Sequence, residues 1–439
     1  MGAKWFGAAV KRKEDPALLG GKGRFVDDVR LPGVLHAAFV RSPHPHARIR
    51  RIDTATAKAL DGVHLVLGFT DLPEPLQRNA LPLFVPTPAI TELHLPYALA
   101  RGETVYAGEP VAIVVADSPV ESTGLGPYEG ATVRVATTGK VVLYTGATPQ
   151  GQSHKTTLAQ IAADQLGVSY EDVTVATADT RDIAFGVGTF AARTAVNAGS
   201  SAHLAAVEVA RKIKLIAADM MEVSPDDLEL RNGFAEVRGV PGLRKSFRDI
   251  AVKSIGMPGF SMAGGLSPGL ENTAYFQPDQ STYSNGTHVA EVEVDIATGG
   301  VKILRYTVLH DCGAVINPMV VEGQVVGGIA HGIGNALFER LHHDGGAQPQ
   351  TTNFGEYLLP AATDMPPIAI LHSETASPLN PLGVKGAGEG GTIAAIAAII
   401  GALENALAPF GIRINEAPIS PARIVELVNA ARGLGSSIR

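Results

Sequence analysis

The sequence predicts an α+β protein in two parts: a mixed α/β unit over residues 1–118 and a larger mixed helix-and-sheet unit over residues 119–439. Three observations lead there. The chain has 439 residues, 45% hydrophobic and 18% charged, which is long enough for two or three domains and apolar enough to bury cores. Segments of period two and segments of helical period occur along the same chain. Finally, the 49 glycines and 29 prolines, roughly half again the ordinary share, follow no repeat and so mark tight turns and close backbone approaches.

In the first unit, Val34–Val40 and Val63–Leu67 read as strands, with a short helix near Thr54–Leu60 between them. Pro110–Ala116 is apolar on both faces, the pattern of a central strand. No covering helix follows it; the chain runs directly into Ser118-Pro119 and a Gly/Pro loop ending at Gly130. Ala131–Ala136 and Lys140–Thr145 then read as paired strands about a Thr138-Gly139 turn. A helix of about twelve residues after His154 buries Leu158, Ile161, Ala162 and Leu166 and ends at Gly167. A longer helix over about Ser200–Met221 carries the stripe Ala205, Val209, Ile213, Ile216 and Met220. A hairpin turns at Asn232-Gly233, and Ile255–Gly286 reads as a long connecting loop. His288–Asp295 and Val301–Val308 form a second hairpin, and Asn317-Pro318 opens a glycine-dotted helix to about Glu339. Helices near Thr392–Leu407 and Pro421–Ala431 complete the chain.

Composition excludes several functions. A net charge of −7 without a local basic stripe, and 5% aromatic residues, argue against nucleic-acid binding. The single cysteine, Cys312, leaves no disulfide framework, no iron–sulfur site and no polythiolate zinc site within this chain. Its scarcity points to a reducing, cytoplasmic setting. Met1–Glu14 lacks the apolar stretch of a secretory signal, and the longest apolar run, Thr392–Leu403, is too short to span a bilayer. His44 and His46, and the pair His342-His343, have no carboxylate or thiolate at ligand spacing, so no metal-ligand set is assigned.

Four glycine-flanked polar loops remain, three at a helix entrance. The first is Gly151-Gln152-Ser153-His154: backbone N–H groups at a helix start attract anions and carbonyls, and Gln152 both donates and accepts. An ordinary strand-loop-helix turn is the alternative. In the second, Thr189, Phe190, Arg193 and Thr194 follow Gly186 and Gly188, offering hydroxyls and a guanidinium suited to phosphate, or else a structural turn with a solvated arginine. The third runs from Asp311-Cys312-Gly313 through Asn317 to Gln324. Cys312 reads there as a buried small hydrophobe, and the glycines around Gln324 weaken a helix unless something packs closely against it. The fourth is Lys385-Gly386-Ala387-Gly388-Glu389-Gly390-Gly391. It matches a dinucleotide fingerprint formally, but no strand feeds it. Glu389 is either a general base or a complement to the following helix dipole.

Together these loops, with Glu14-Asp15-Pro16, Leu19–Asp28, Arg41-Ser42-Pro43-His44, Gly108–Val111, Glu121–Gly130 and Pro378–Gly386, resemble the molybdenum hydroxylases of the xanthine dehydrogenase and aldehyde oxidase family. The likeness is closest to the large subunit of carbon monoxide dehydrogenase-like members and covers nearly the whole chain. It implies an N-terminal α/β hammerhead-like domain followed by an α+β molybdopterin-binding domain. It also implies an internal deletion after about Ser118, and departures at Ser153, Lys155 and Ala192, where the family usually has Gly, an acid and Ser. Gly151, Gln152, Ser153, His154, Thr189, Phe190, Arg193, Thr194, Asp311, Cys312, Asn317, Gln324, Lys385, Gly386 and Gly388 would then hold molybdopterin cytosine dinucleotide with its molybdenum. Glu389 would be the base that deprotonates a molybdenum-bound hydroxyl. The implied reaction oxidises a small carbon substrate, and electrons leave through an iron–sulfur small subunit (2Fe–2S) and an FAD-binding medium subunit in a dimer of heterotrimers. The competing readings are a catalytically inactive, internally deleted paralogue serving binding or assembly, and a nucleotide-binding protein without redox work.

Overall fold

A computed structural model describes residues 5–23, 36–42, 46–59, 63–78, 80, 97–105, 109–116, 128–256, 265–279, 282–345 and 348–433. The Ser118 junction, His44 and most of the Glu121–Gly130 loop lie outside these residues. The chain divides into a unit of Lys22–Leu125 with Arg340–Tyr357, and a larger unit of Met1–Gly21, Gly126–Glu339 and Leu358–Arg439.

The first elements are α1 (Asp15–Leu19), β1 (His36–Arg41), β2 (Ala47–Arg48), α2 (Ala55–Lys58), β3 (Val63–Gly68), α3 (Glu74–Arg78), β4 (Glu103–Thr104) and β5 (Pro110–Ala116). In the smaller unit, β5 lies between β1 and β3 in an antiparallel sheet, the central place that its unbroken apolar run predicts, and β2 pairs with β4. His46 meets a carboxylate after all, Glu103 at 3.2 Å, supplied by pairing rather than by nearby sequence, and both are exposed.

The larger unit continues with β6 (Glu129–Val135), β7 (Val141–Thr145), α4 (His154–Leu166), β8 (Val173–Thr177), α5 (Thr194–Met221), β9 (Leu228–Arg231), β10 (Phe234–Val237), β11 (Arg244–Ser246), α6 (Phe247–Lys253) and β12 (Leu270–Phe276). A four-stranded sheet in the order β12-β6-β7-β8 is antiparallel except for β7 and β8, which run parallel with α4 as their crossover. Val133, Leu143 and Val173 of the sheet share a core with Leu158 and Ile161 of α4 and Val209 and Ile213 of α5. Gly167 closes α4 at φ +63; a Cβ there would lie 2.1 Å from the Leu230 carbonyl, so the β9–β10 hairpin can approach only a glycine.

Six of the described strands were not anticipated: the short β2, β4 and β11, and also β8, β12 and β15 (Ile368–His372). β12 lies within the predicted 255–286 loop: it hides Leu270, Asn272, Ala274 and Phe276 in alternation, but the asparagine and the polar outward residues disguise the period. β8 and β15 (below) are five-residue strands without turn signals at both ends. The long helix also starts earlier than predicted, at Thr194, because its first turns bury Thr194, Asn197, Ser200 and Ser201 rather than apolar side chains.

The second core belongs to β13 (Asn285–Val294), β14 (Val301–Asp311), α7 (Pro318–Leu337), β15 (Ile368–His372), α8 (Ala395–Ala406) and α9 (Pro421–Ala431). β14 pairs antiparallel with β13 and parallel with β15. Tyr306 and Val308 pack with Ile329 and Ile333 of α7 and Ile399 and Leu403 of α8. The glycines of α7 are explained by this contact: a Cβ on Gly332 would fall 2.2 Å from that of Ala395, and one on Gly328 would fall 2.8 Å from Gly391 backbone.

Residues 5–20 form an arm of the larger unit. Trp5 donates its indole N–H to the Val168 carbonyl at 2.9 Å, and Gly7 N bonds Ile316 O at 2.8 Å. Gln160 and Asn317 are buried and interlocked at 3.0 Å, and their remaining amide hydrogens reach the Ala8 and Val10 carbonyls. Glu14 accepts from Lys155 N and the Thr156 hydroxyl, capping the start of α4. No described helix is long and apolar enough to cross a membrane.

Candidate active site

The four loops meet in one cavity of about 340 Å³ in the larger unit. All four open helices: the second leads straight into α5, so the count at helix entrances is four rather than three. The first turns of α4, α5 and α7 face the cavity through His154 and Thr157, Thr194 and Ala195, and Asn317, Val320 and Val321. Three helix starts border this space: Glu14 caps α4 and Asn317 caps α7, while no side chain caps α5.

Of the residues singled out from sequence, Gln152, His154, Thr189, Phe190, Thr194, Cys312, Asn317, Gln324, Lys385, Gly388 and Glu389 line this cavity. Gly151, Ser153, Arg193, Asp311 and Gly386 do not. Ser153 is buried in the left-handed region at φ +65, where glycine is the unstrained choice, which accounts for the glycine expected there. Gly386 lets the fourth loop touch the second: a Cβ there would lie 2.8 Å from the Ala192 carbonyl oxygen.

Loops one and two are cross-linked. Gln150 donates to the Thr189 carbonyl at 3.4 Å, Thr194 donates to the Thr189 hydroxyl at 3.3 Å, and His154 Nδ1 lies 3.5 Å from that hydroxyl. Burial holds the His154 pKa down at about 4, so the ring is neutral at physiological pH. The second loop also carries two strained residues, Ala191 and Ala192, both at φ +49.

The two cations singled out in the loops, Arg193 and Lys385, are already paired. Arg193 bonds the Tyr128 carbonyl at 2.9 Å, packs over Phe190 at 5.0 Å, and lies 3.4 Å from the fully buried carboxylate of Glu129. Lys385 is bound at 2.9 Å to Asp311, whose other oxygen accepts from Gly313 N and Thr375 N. Burial alone would raise the Asp311 pKa, but those amides and the ammonium hold it at about 2. Both pairs act as struts of the wall. Cys312 is buried with its pKa pushed up to about 11 by burial and the Asp311 charge, so it is a protonated thiol as the small-hydrophobe reading expected.

Glu129 was missed. It accepts from Val187 N at 3.2 Å and Gly130 N at 3.4 Å as well as from Arg193, and so organises the second loop. Its sequence signal, an acidic residue opening an otherwise buried strand, is faint. Gly146 and Gly186 are the stronger clue, since a Cβ on Gly146 would fall 2.7 Å from Glu129 Oε1.

Gln324 of α7 and Glu389 of the fourth loop both line the cavity. A Cβ on Gly388 would sit 3.7 Å from Gln324 Oε1. Glu389 is exposed to the cavity, and its carboxylate has no ion pair or side-chain hydrogen bond among the described residues. Helix α8 begins only at Ala395, so Glu389 stands outside its first turn, against the dipole alternative. No group of three potential metal ligands occurs among the described residues.

Residues 98–366 match the family model described as a molybdopterin cofactor-binding domain, and residues 20–124 match the aldehyde oxidase and xanthine dehydrogenase a/b hammerhead domain. The nicotine 6-hydroxylase large subunit of Paenarthrobacter nicotinovorans is 40% identical over 334 residues, covering 74% of this chain and 41% of the relative. The carbon monoxide dehydrogenase large chain of Hydrogenophaga pseudoflava is 34% identical over 301 residues, covering 69% of this chain and 37% of the relative. Quinoline 2-oxidoreductase from Pseudomonas putida 86 shares the fold with a TM-score of 0.79 at 22% identity, over 97% of this chain and 98% of that one. A hammerhead-type α/β unit and a mixed cofactor-binding unit thus define the class, and the chain belongs to the molybdopterin-binding large subunits of the xanthine dehydrogenase and aldehyde oxidase family. It spans about two fifths of the length of the curated relatives it matches.

The cavity's donor set fits a pterin nucleotide. Carboxamides at Gln150, Gln152 and Gln324 offer paired donors and acceptors for a heterocycle edge, and the Thr157, Thr189 and Thr194 hydroxyls stand beside the helix starts that favour phosphate.

Proposed function

We propose that this chain acts as the large-subunit component of a molybdenum hydroxylase, an oxidoreductase that oxidises a small carbon substrate (carbon monoxide, an aldehyde or an N-heterocycle) and passes the electrons to iron–sulfur and FAD-binding partner subunits. The observation that carries the reading is the convergence of Gln152, Gln324 and Glu389, from segments more than sixty residues apart, on one cavity.

When bound, molybdopterin cytosine dinucleotide with its molybdenum supplies the redox chemistry. The chain's own residues supply binding and proton handling. Gln152 and Gln324 orient the heterocycle through their amides. The hydroxyls of Thr189 and Thr194 and the start of α5, which no side chain caps, take the phosphates, a task for which Arg193 and Lys385 are not needed because each already neutralises a carboxylate. Glu389 receives a proton on a carboxylate oxygen as the general base, a role suited by its freedom from competing partners.

Two measurements test this. Protein purified from a molybdenum-replete host is expected to contain molybdenum and a cytosine nucleotide; its absence overturns the cofactor assignment. In loaded protein with its partner subunits, Glu389→Gln is expected to lower turnover about 10²–10⁴-fold with cofactor content unchanged. Unchanged turnover removes Glu389 from the mechanism.

A further inference from the structure

The turn that carries Glu389 has two supports. On one side, Gly391 lies on α7, where a Cβ would fall 2.3 Å from the Val325 carbonyl oxygen. On the other side stands the β13–β14 sheet. His288 Nε2 lies 3.2 Å from the Gly390 carbonyl, and His288 Nδ1 lies 2.8 Å from the Tyr306 hydroxyl, with the two rings edge-on at 88°. A carbonyl can only accept, so Nε2 carries the hydrogen; in a neutral ring Nδ1 is then bare and accepts from the tyrosine. One tautomer satisfies the whole chain. Burial lowers the His288 pKa and raises that of Tyr306, which keeps both groups in the required neutral state. His310, 1% exposed and with neither ring nitrogen hydrogen-bonded, packs beneath: a Cβ on Gly390 would lie 2.3 Å from its Cε1.

We propose that Tyr306 and His288 are positioning residues for Glu389, a two-bond strut from the sheet to the Gly390 carbonyl that sets where the carboxylate stands in the cavity. The inference rests on the reading of Glu389 as the base, but the strut itself can be measured without activity. Tyr306 is fully buried in the second core, so it is a rigid anchor. His288 transmits that rigidity across the one face of the turn that α7 does not touch. Glycine at 390 and 391 is required by these two close approaches, and a glycine turn without them would have no fixed geometry.

Hydrogen exchange of the full chain over residues 389–393 tests this with His288→Gln and His288→Asn. The glutamine amide nitrogen reaches the place of Nε2 and keeps the bond to Gly390, whereas asparagine reaches only the place of Nδ1. Loss of one such bond is expected to speed exchange in 389–393 about tenfold in His288→Asn, with His288→Gln within about threefold of the parent and exchange at the start of α4 unchanged in both. In loaded enzyme the same asparagine variant is expected to lower kcat with little change in KM. Nitrogen shifts of the His288 ring are expected to report hydrogen on Nε2 and a bare Nδ1. Equal exchange in His288→Asn and the parent, equal loosening in both variants, or hydrogen on Nδ1 overturns the strut. If the exchange results hold while Glu389→Gln leaves turnover intact, the strut stands and the base assignment alone falls.

Discussion

The Glu129–Arg193 pair offers a quantitative test of how the second loop is held. At 3.4 Å and an effective dielectric of about 20, the attraction is roughly 5 kcal/mol. Burial pushes the Glu129 pKa up and the Arg193 pKa down, each toward its neutral form and against the partner's charge. Desolvation therefore takes back most of the attraction: the pair contributes little net stability, but either half left alone is costly. Glu129→Gln and Arg193→Met should each destabilise the protein by about 3–5 kcal/mol. The double variant Glu129→Gln with Arg193→Met should cost less than the sum of its singles, with a coupling of about 2–3 kcal/mol. The single variants should also release Ala191 and Ala192, whose left-handed backbones cost about 1–2 kcal/mol each. Urea unfolding of the four proteins gives the cycle, and hydrogen exchange over residues 186–194 reports the loop. Effects additive within about 0.5 kcal/mol would refute the argument.

Two further outcomes follow from the same geometry. Gly391→Val would drive its side chain into the Val325 carbonyl, so a loss of several kcal/mol in thermal unfolding and a matching loss of cofactor content are expected; a neutral result would contradict the packing of the fourth loop on α7. His154, neutral in the fold with a pKa near 4 against about 6.5 when unfolded, contributes stability that is fully present above pH 6.5 and is lost as pH falls toward 4, about 3 kcal/mol in all. Comparing denaturation midpoints at pH 7 and pH 5 for the parent and His154→Gln checks this, since the variant should lack that share of the pH dependence.

The elements with plain periodicity were legible. The hairpin at Asn232-Gly233, the cap at Asn317 and the bounds of α9 follow from local rules that tertiary contacts do not override. The start of α5 was hidden because its first turns bury hydroxyls and an amide against β6, where Ser201 donates to the Glu129 carbonyl at 2.8 Å. The site was legible in its glycines and carboxamides, which cluster in short motifs. Its electrostatics were not. Arg193 reads in isolation as a ligand for phosphate, and Lys385 is assigned to the cofactor only by resemblance; their carboxylate partners stand 64 and 74 residues away. Burial converts an apparently available cation into a structural one, and burial is a property of the folded chain.

The capping of α4 by Glu14 has a practical side. Chain boundaries drawn where the hammerhead match begins, at residue 20, would discard the whole arm even though none of its side chains borders the cavity. Shortened versions of this protein would then lose the carboxylate that closes the helix and the Ala8 and Val10 carbonyls that accept from Gln160 and Asn317. Two walls of the cavity would be left to fray from a cut made far along the sequence, so residues 5–20 belong with the cavity for anyone trimming the chain.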